Sequence, residues 1–102
     1  MNTRKLYIDD LRPCPTGWDL ARTFHRAIVM LEDVDYDTIS VDHDLGCFYG
    51  NTEMTGTHII GYLIRRRVLG LYTPPNILVH SANPVGAKRM RDDINSHLSG
   101  PI

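Results

Sequence analysis

Three short apolar runs in this chain end abruptly in polar chemistry. Leu6, Tyr7 and Ile8 run into Asp9-Asp10, and Ile39 to Val41 runs into Asp42-His43-Asp44. Ile77 to Val79 runs into His80, Ser81, Ala82 and Asn83. Each run is apolar at consecutive rather than alternate positions, the pattern of strands covered on both faces of a parallel sheet. Between the runs the period becomes helical. Leu20, Phe24, Ala27, Ile28 and Leu31 recur at helical spacing within Trp18 to Glu32. Ile59, Ile60, Leu63, Ile64 and Val68 mark a second helix from about Thr57 to Leu69, stopped by Gly70 and Pro74-Pro75. A last helix opens at Pro84 with Asn83 as its N-cap and ends near Ser99-Gly100, with Val85, Met90, Ile94 and Leu98 on its buried face. "LRPCPTGW", from Leu11, and "GCFYGNTEMTG", from Gly46, read as irregular, glycine- and proline-punctuated loops.

Strands alternating with helices imply a parallel sheet with crossover connections. Ligands bind such sheets beyond the carboxyl ends of the strands. All three polar clusters occupy strand ends of that kind, so they are expected to meet at one edge.

Composition narrows the class. The 102 residues read as a single domain, 1–102, of ordinary globular make-up: 42% hydrophobic, 23% charged, net charge −1. That balance leaves no excess of positive charge for an extensive nucleic-acid surface. Arg65 to Arg67, and Lys88, Arg89 and Arg91, read as solvated helix faces. Two cysteines, Cys14 and Cys47, lack metal-type spacing and fit a reducing compartment. With no signal peptide and no apolar run of membrane-spanning length, the expectation is a cytoplasmic protein without a membrane partner. Oligomeric state is not legible.

At the expected edge stand Asp9, Asp10, Asp42 and Asp44, with Arg12 in the adjoining loop. Carboxylates sharing a cleft repel one another unless a cation or a proton intervenes. Such hard oxygen donors suit magnesium, calcium or manganese; a divalent cofactor, magnesium or manganese, is one expectation, and a metal-free mechanism that uses the pair His43 and His80 is the other. His43 and His80 supply acid and base capacity near neutral pH, in either order, with Asp42 beside them. Arg12 offers a planar fork to phosphate, and Ser81 and Asn83, with the amides opening the last helix, offer further donors. Acid, base and anion donors together suit phosphoester chemistry better than acyl transfer. Singly, each residue has an ordinary alternative. Asp10 and Asp44 suit turns, His43 suits a structural role, and Asn83 has its cap to form. Trp18 reads as core or as a wall of the site, and His25, His58 and His97 as exposed helical positions. The coincidence of three clusters at three strand ends carries the functional reading.

"LYIDDLRPCPTGW", "ISVDHDLG", Gly56-Thr57 before a helix containing Gly61-Tyr62, and "ILVHSANPVGAKRM" extend across most of the chain. Together they resemble the cyclic-phosphate-processing receiver-like domains, a divergent branch of the receiver domain of response regulators. The resemblance implies an α/β, compact receiver-like (flavodoxin-like) three-layer sandwich with a mostly parallel four-stranded sheet, lacking the fifth strand. It also implies that a proline-rich loop replaces the first helix. Trp18 to Thr23 then becomes a short second strand, and the helix starts near Phe24. An ordinary receiver carries a phosphoryl-contacting lysine on its fifth strand, and Lys88, in the last helix, does not replace it.

What the resemblance implies about activity is a hydrolase, cyclic phosphodiesterase-like, acting on the cyclic phosphate of a nucleotide or RNA end. The alternatives are a non-catalytic module that binds and sequesters a nucleotide in the same pocket, or a degenerate phosphoacceptor receiver. Behind these stands a haloacid-dehalogenase-type reading of the Asp42-x-Asp44 pair, for which the chain is short.

Overall fold

The computed structural model describes residues 4–69 and 75–98. Strand β1 (Lys5–Ile8) is followed by β2 (Asp19–Ala21), helix α1 (Phe24–Asp33) and strand β3 (Thr38–Val41). A pair of short strands, β4 (Cys47–Tyr49) and β5 (Thr52–Met54), precedes helix α2 (Gly56–Val68). Strand β6 (Asn76–Val79) and helix α3 (Pro84–His97) complete the order. Strands β1, β2, β3 and β6 form one parallel sheet in the order β2-β1-β3-β6.

Local chemistry sets where each helix begins. The Thr23 hydroxyl accepts from the Arg26 amide, and Asn83 Oδ1 accepts from the Gly86 amide with Pro84 as the first helical residue. Thr55 caps α2, and His58 Nδ1 reaches back to accept from the Thr55 amide, a capping box with histidine in the usual place of glutamate. Arg65, Arg66 and Arg67 fall in the last turn of α2, where positive charge favours the helix dipole.

The connections β2-α1-β3 and β3-α2-β6 step across the sheet in the same direction. Right-handed crossovers therefore place α1 and α2 on one face, and α3 packs beside α2 there. Leu6, Ile8, Ile39 and Val41 point into that layer and meet Ala27, Leu31, Ile59, Ile60, Leu63 and Met90, all essentially without solvent contact. Each large side chain so buried contributes roughly 1.5–3 kcal/mol from apolar transfer.

The alternate positions of the same strands, Tyr7, Ser40 and Leu78, face the other way. There, among the described residues, side chains stand where a third layer is expected. The Trp18 ring lies edge-on to Tyr7 at 6.0 Å and the His80 ring stacks on it at 4.3 Å.

The α/β receiver-like class, the four-stranded parallel sheet, the short strand before α1 and the start of α1 match the expectations from sequence. The third layer of the expected sandwich is not built of helices among the described residues, because α1, α2 and α3 share one face. Three further details differ. Residues 46–56 are not an irregular loop: β4 and β5 form a hairpin pairing Tyr49 with Thr52. Gly50 carries a φ of +63° and, among the described residues, no non-glycine residue has a positive φ, so the Gly50-Asn51 tip is a type II′ turn. Val85 is 79% exposed rather than buried, because the inward stripe of α3 runs through Gly86, Ala87 and Met90. Helix α2 starts at Gly56, one residue before the expected position. The stop signals Gly70, Pro74, Ser99 and Gly100 lie outside the described residues.

Candidate active site at the carboxyl edge of the sheet

Backbone ladders hold the strand ends level. The Asp42 amide donates to the Ile8 carbonyl at 2.9 Å, and the His80 amide to the Val41 carbonyl at 3.0 Å. The Asp9 amide donates to Ala21 O at 3.1 Å, which ties in the end of β2. Asp9, Asp42 and His80 thus emerge side by side.

Asp9 is the anchor. It is 1% exposed, and its Oδ1 accepts from the amides of Leu11 (2.8 Å) and Arg12 (2.9 Å). Its Oδ2 lies 2.9 Å from His80 Nε2 and 3.8 Å from Arg12 Nε. Burial pushes the Asp9 carboxyl up, but the Arg12 and Leu11 amides together with His80 outweigh it, and the group rests below its ordinary 3.8. Asp42 goes the opposite way. Burial raises it most; the Ser81 hydroxyl and the Asp44 amide act against this, and the nearby Asp9 charge adds to the rise. Asp10 closes the group: Asp9, Asp10 and Asp42 each present an oxygen within 4.8 Å of the others. Three hard donors and a mutual repulsion that a cation would relieve fit magnesium or manganese.

The two histidines sit on opposite faces of the sheet. His80 lies on the helix-free face, stacked on Tyr7, with its Nδ1 at 2.6 Å from Ser40 Oγ and its Nε2 on Asp9. Both ring nitrogens are therefore engaged. His43 turns toward the helices and rests against Gly86, where a Cβ would come within 2.4 Å of its ring. Asp44 lies apart from the acidic triad: its Oδ1 is 2.8 Å from His43 Nδ1, and Asn83 Nδ2 stands 3.4 Å from the same oxygen. With Nδ1–H donating to Asp44, the neutral His43 ring keeps its lone pair on Nε2.

The phosphate-binding candidates separate similarly. Arg12 has a 46% exposed side chain at the rim. Ser81 Oγ accepts from the Asn83 amide and bonds Asp42, while Asn83 Oδ1 is committed to its helix cap.

Sequence reasoning missed Ser40, Tyr7 and two seats for bare backbone. The signal for Ser40 was a lone hydroxyl inside the apolar run "TISV". At Gly56 a Cβ would lie 2.3 Å from the Asp42 carbonyl oxygen and 2.6 Å from Met90 Sδ, so only glycine lets α2 start against β3. Arg66 and Arg67 are less solvated than expected, donating to the Leu31 and His97 carbonyls. His25, His58 and His97 are exposed, as expected. No helix among the described residues is long and apolar enough to cross a membrane.

A parallel β2-β1-β3-β6 sheet with an aspartate pair after its first strand and an aspartate after its third in sequence defines a receiver-type α/β domain. The chain belongs to the cyclic-phosphate processing receiver domain family, which it matches over residues 4–96. The family's description ties its receiver domain to cyclic-phosphate processing. No curated protein and no solved structure matches the chain.

Proposed function

We propose that this domain is a phosphoesterase that opens the cyclic phosphate of a nucleotide or RNA end. The observation that supports it best is the convergence of Asp9, Asp10 and Asp42 within 4.8 Å at the same strand end as the His43–Asp44 pair. In this reading Asp9, Asp10 and Asp42 hold a magnesium or manganese ion, which when bound polarises a phosphoryl oxygen. His43 Nε2 is the general base, oriented by Asp44 through Nδ1. His80 acts through Asp9, whose carboxylate it fixes, and is a positioning residue. Arg12 and Ser81 are the anion donors nearest the cluster, and Asn83 steadies Asp44.

Hydrolysis adds one water across one ring P–O bond. The water oxygen joins phosphorus and its proton passes to His43 Nε2. The departing ester oxygen takes a proton from solvent and leaves as a hydroxyl, and His43 returns its proton to solvent, so the product is a phosphomonoester.

The test is turnover of 2′,3′-cyclic mononucleotides and cyclic dinucleotides, with magnesium or manganese, by wild type, His43→Ala and Asp42→Asn. Loss of the general base should lower kcat by about 10²–10⁴. Full activity in His43→Ala would refute the assignment. Tight binding with recovery of intact ligand would identify a sequestering module, and stable labelling of an aspartate by acetyl phosphate would identify a phosphoacceptor receiver.

A further inference from the structure

Gly61 lies in the middle of α2, and a Cβ built there meets nothing within 4 Å. A glycine in a helix interior weakens the helix relative to alanine, and no close packing requires this one. It opens onto a cavity of about 360 Å³, whose other walls are Phe24, Met54, Thr57, His58, Tyr62 and Arg65. The walls are aromatic rings, a thioether, one guanidinium and the Thr57 hydroxyl, which is buried without a hydrogen-bond partner, and no carboxylate is among the lining residues.

The aromatic surface continues beyond the cavity. Phe24 and His58 ring centroids are 6.3 Å apart, Phe24 and His25 are 5.6 Å apart, and His25 and Tyr49 are 5.6 Å apart. Tyr49 and Phe48, on the hairpin, are 68% and 63% exposed.

The elements that supply the walls are joined to segments bordering the acidic site. Helix α1 follows β2, whose Ala21 carbonyl takes the Asp9 amide. The hairpin leaves at Gly46, where a Cβ would stand 3.0 Å from Asp10 Oδ2, and returns at Gly56 against the Asp42 carbonyl. A planar, π-bearing group joined to a phosphate at the carboxylates would find the matching surface here. A sugar would need more hydrogen-bonding walls, whereas stacking on rings and guanidinium is how proteins hold bases.

We propose that this cavity is a nucleobase subsite, so that the substrate class is a nucleoside cyclic phosphate; this rests on the cyclic-phosphate reading above. Gly61 keeps the space open at the expense of helix stability.

Gly61→Leu tests it, because the open space lets the fold accept the side chain while the cavity fills. Adenosine and uridine 2′,3′-cyclic phosphates should bind wild type at least about tenfold more tightly than methyl riboside 2,3-cyclic phosphate, which has no base. Gly61→Leu should abolish that preference, keep methyl riboside cyclic phosphate binding within about twofold, and melt no lower than wild type. Absence of the preference in wild type, or its survival in Gly61→Leu, overturns the subsite. Free adenosine supplies a phosphate-free measurement: its titration should shift the amide resonances of Phe24, His58, Gly61 and Tyr62. Shifts elsewhere, or none, also overturn it. Binding of methyl riboside cyclic phosphate without any gain from a base rejects the subsite and leaves the phosphate reading standing. Adenosine shifts at these residues, with no contribution from any cyclic phosphate, do the reverse. A dinucleotide with the same terminal cyclic phosphate tells an RNA end from a mononucleotide, and base-dependent binding of either supports the subsite.

Discussion

Replacing Asp42 by asparagine should make the metal-free protein more stable while removing its response to magnesium. The three carboxylate oxygens lie within 4.8 Å of one another. Two unit charges at that distance repel by about 3.5 kcal/mol at an effective dielectric constant near 20. Asp10 is only half-buried, so solvent screens its share, and a net gain of about 1–3 kcal/mol is expected from Asp42→Asn at pH 7. Asparagine keeps a carbonyl oxygen that can accept from the Ser81 hydroxyl or the Asp44 amide. For a domain of this size the gain corresponds to roughly 5–15 °C in Tm.

The sign with pH follows from the raised Asp42 carboxyl. Its folded form holds the proton more tightly than the unfolded chain, so the penalty is present above the raised value and fades on acidification toward 3.8 and below. Urea unfolding with a chelator present should therefore show the largest gap between variant and wild type at pH 7, closing as the pH falls. Magnesium at about 100 times its dissociation constant should add about 2.7 kcal/mol to wild type and nothing to the variant. A variant no more stable than wild type at pH 7 in chelator would refute the argument that the acidic triad is under electrostatic strain.

Gly56→Ala should cost about 1–3 kcal/mol or more in urea titrations, because its methyl would overlap the Asp42 carbonyl at 2.3 Å. Asp44→Asn should lower kcat with little change in KM and alter the pH–rate profile, whereas a role confined to the turn would leave the profile in place. Tyr36→Phe removes the phenol that donates to Asp19 Oδ2 at 2.8 Å and, ahead of Arg4, holds Asp19 below its ordinary value. Discounted for the partly exposed Asp19, the loss is about 1 kcal/mol at pH 7 and should shrink below pH 3.8, where the Asp19 contribution is itself lost. Burial and Asp19 push Tyr36 itself up to about 12, so wild type alone should lose this contribution as the pH rises from 10 to about 12.

Much of the frame was legible because apolar runs and helical periods report burial directly, as at Leu6 to Ile8 and Ile59 to Leu63. The convergence of Asp9, Asp10 and Asp42 followed from strand direction alone. Strand β2 was hidden because Leu20 also fits the period of the helix behind it, and the family resemblance recovered it. The hairpin escaped because its three-residue strands are mostly exposed and carry no buried alternation; Gly50-Asn51 between "CFY" and "TEM" was the usable signal. Side-chain direction was harder still. Sequence put His43 and His80 at neighbouring strand ends, but alternation along each strand sends them to opposite faces, and nothing local indicated that Asp44 would turn to His43. Close approaches at Gly56, which meets Asp42 and Met90, and at Gly86, which meets His43, depend on separate segments coming together, which no single segment encodes.

Among the described residues the β4–β5 hairpin pairs only with itself and forms a sheet separate from the four-stranded one. Its two ends are fastened at Gly46 and Gly56, while its tip is a two-residue turn at Gly50-Asn51. The tip can therefore lengthen, shorten or change its aromatic residues without altering any register of the main sheet. Scaffold and rim are inherited separately along the chain. A library confined to residues 48–53 would vary what the rim offers a ligand while leaving the acidic triad and the core untouched, which makes this stretch the natural place for new specificity to arise.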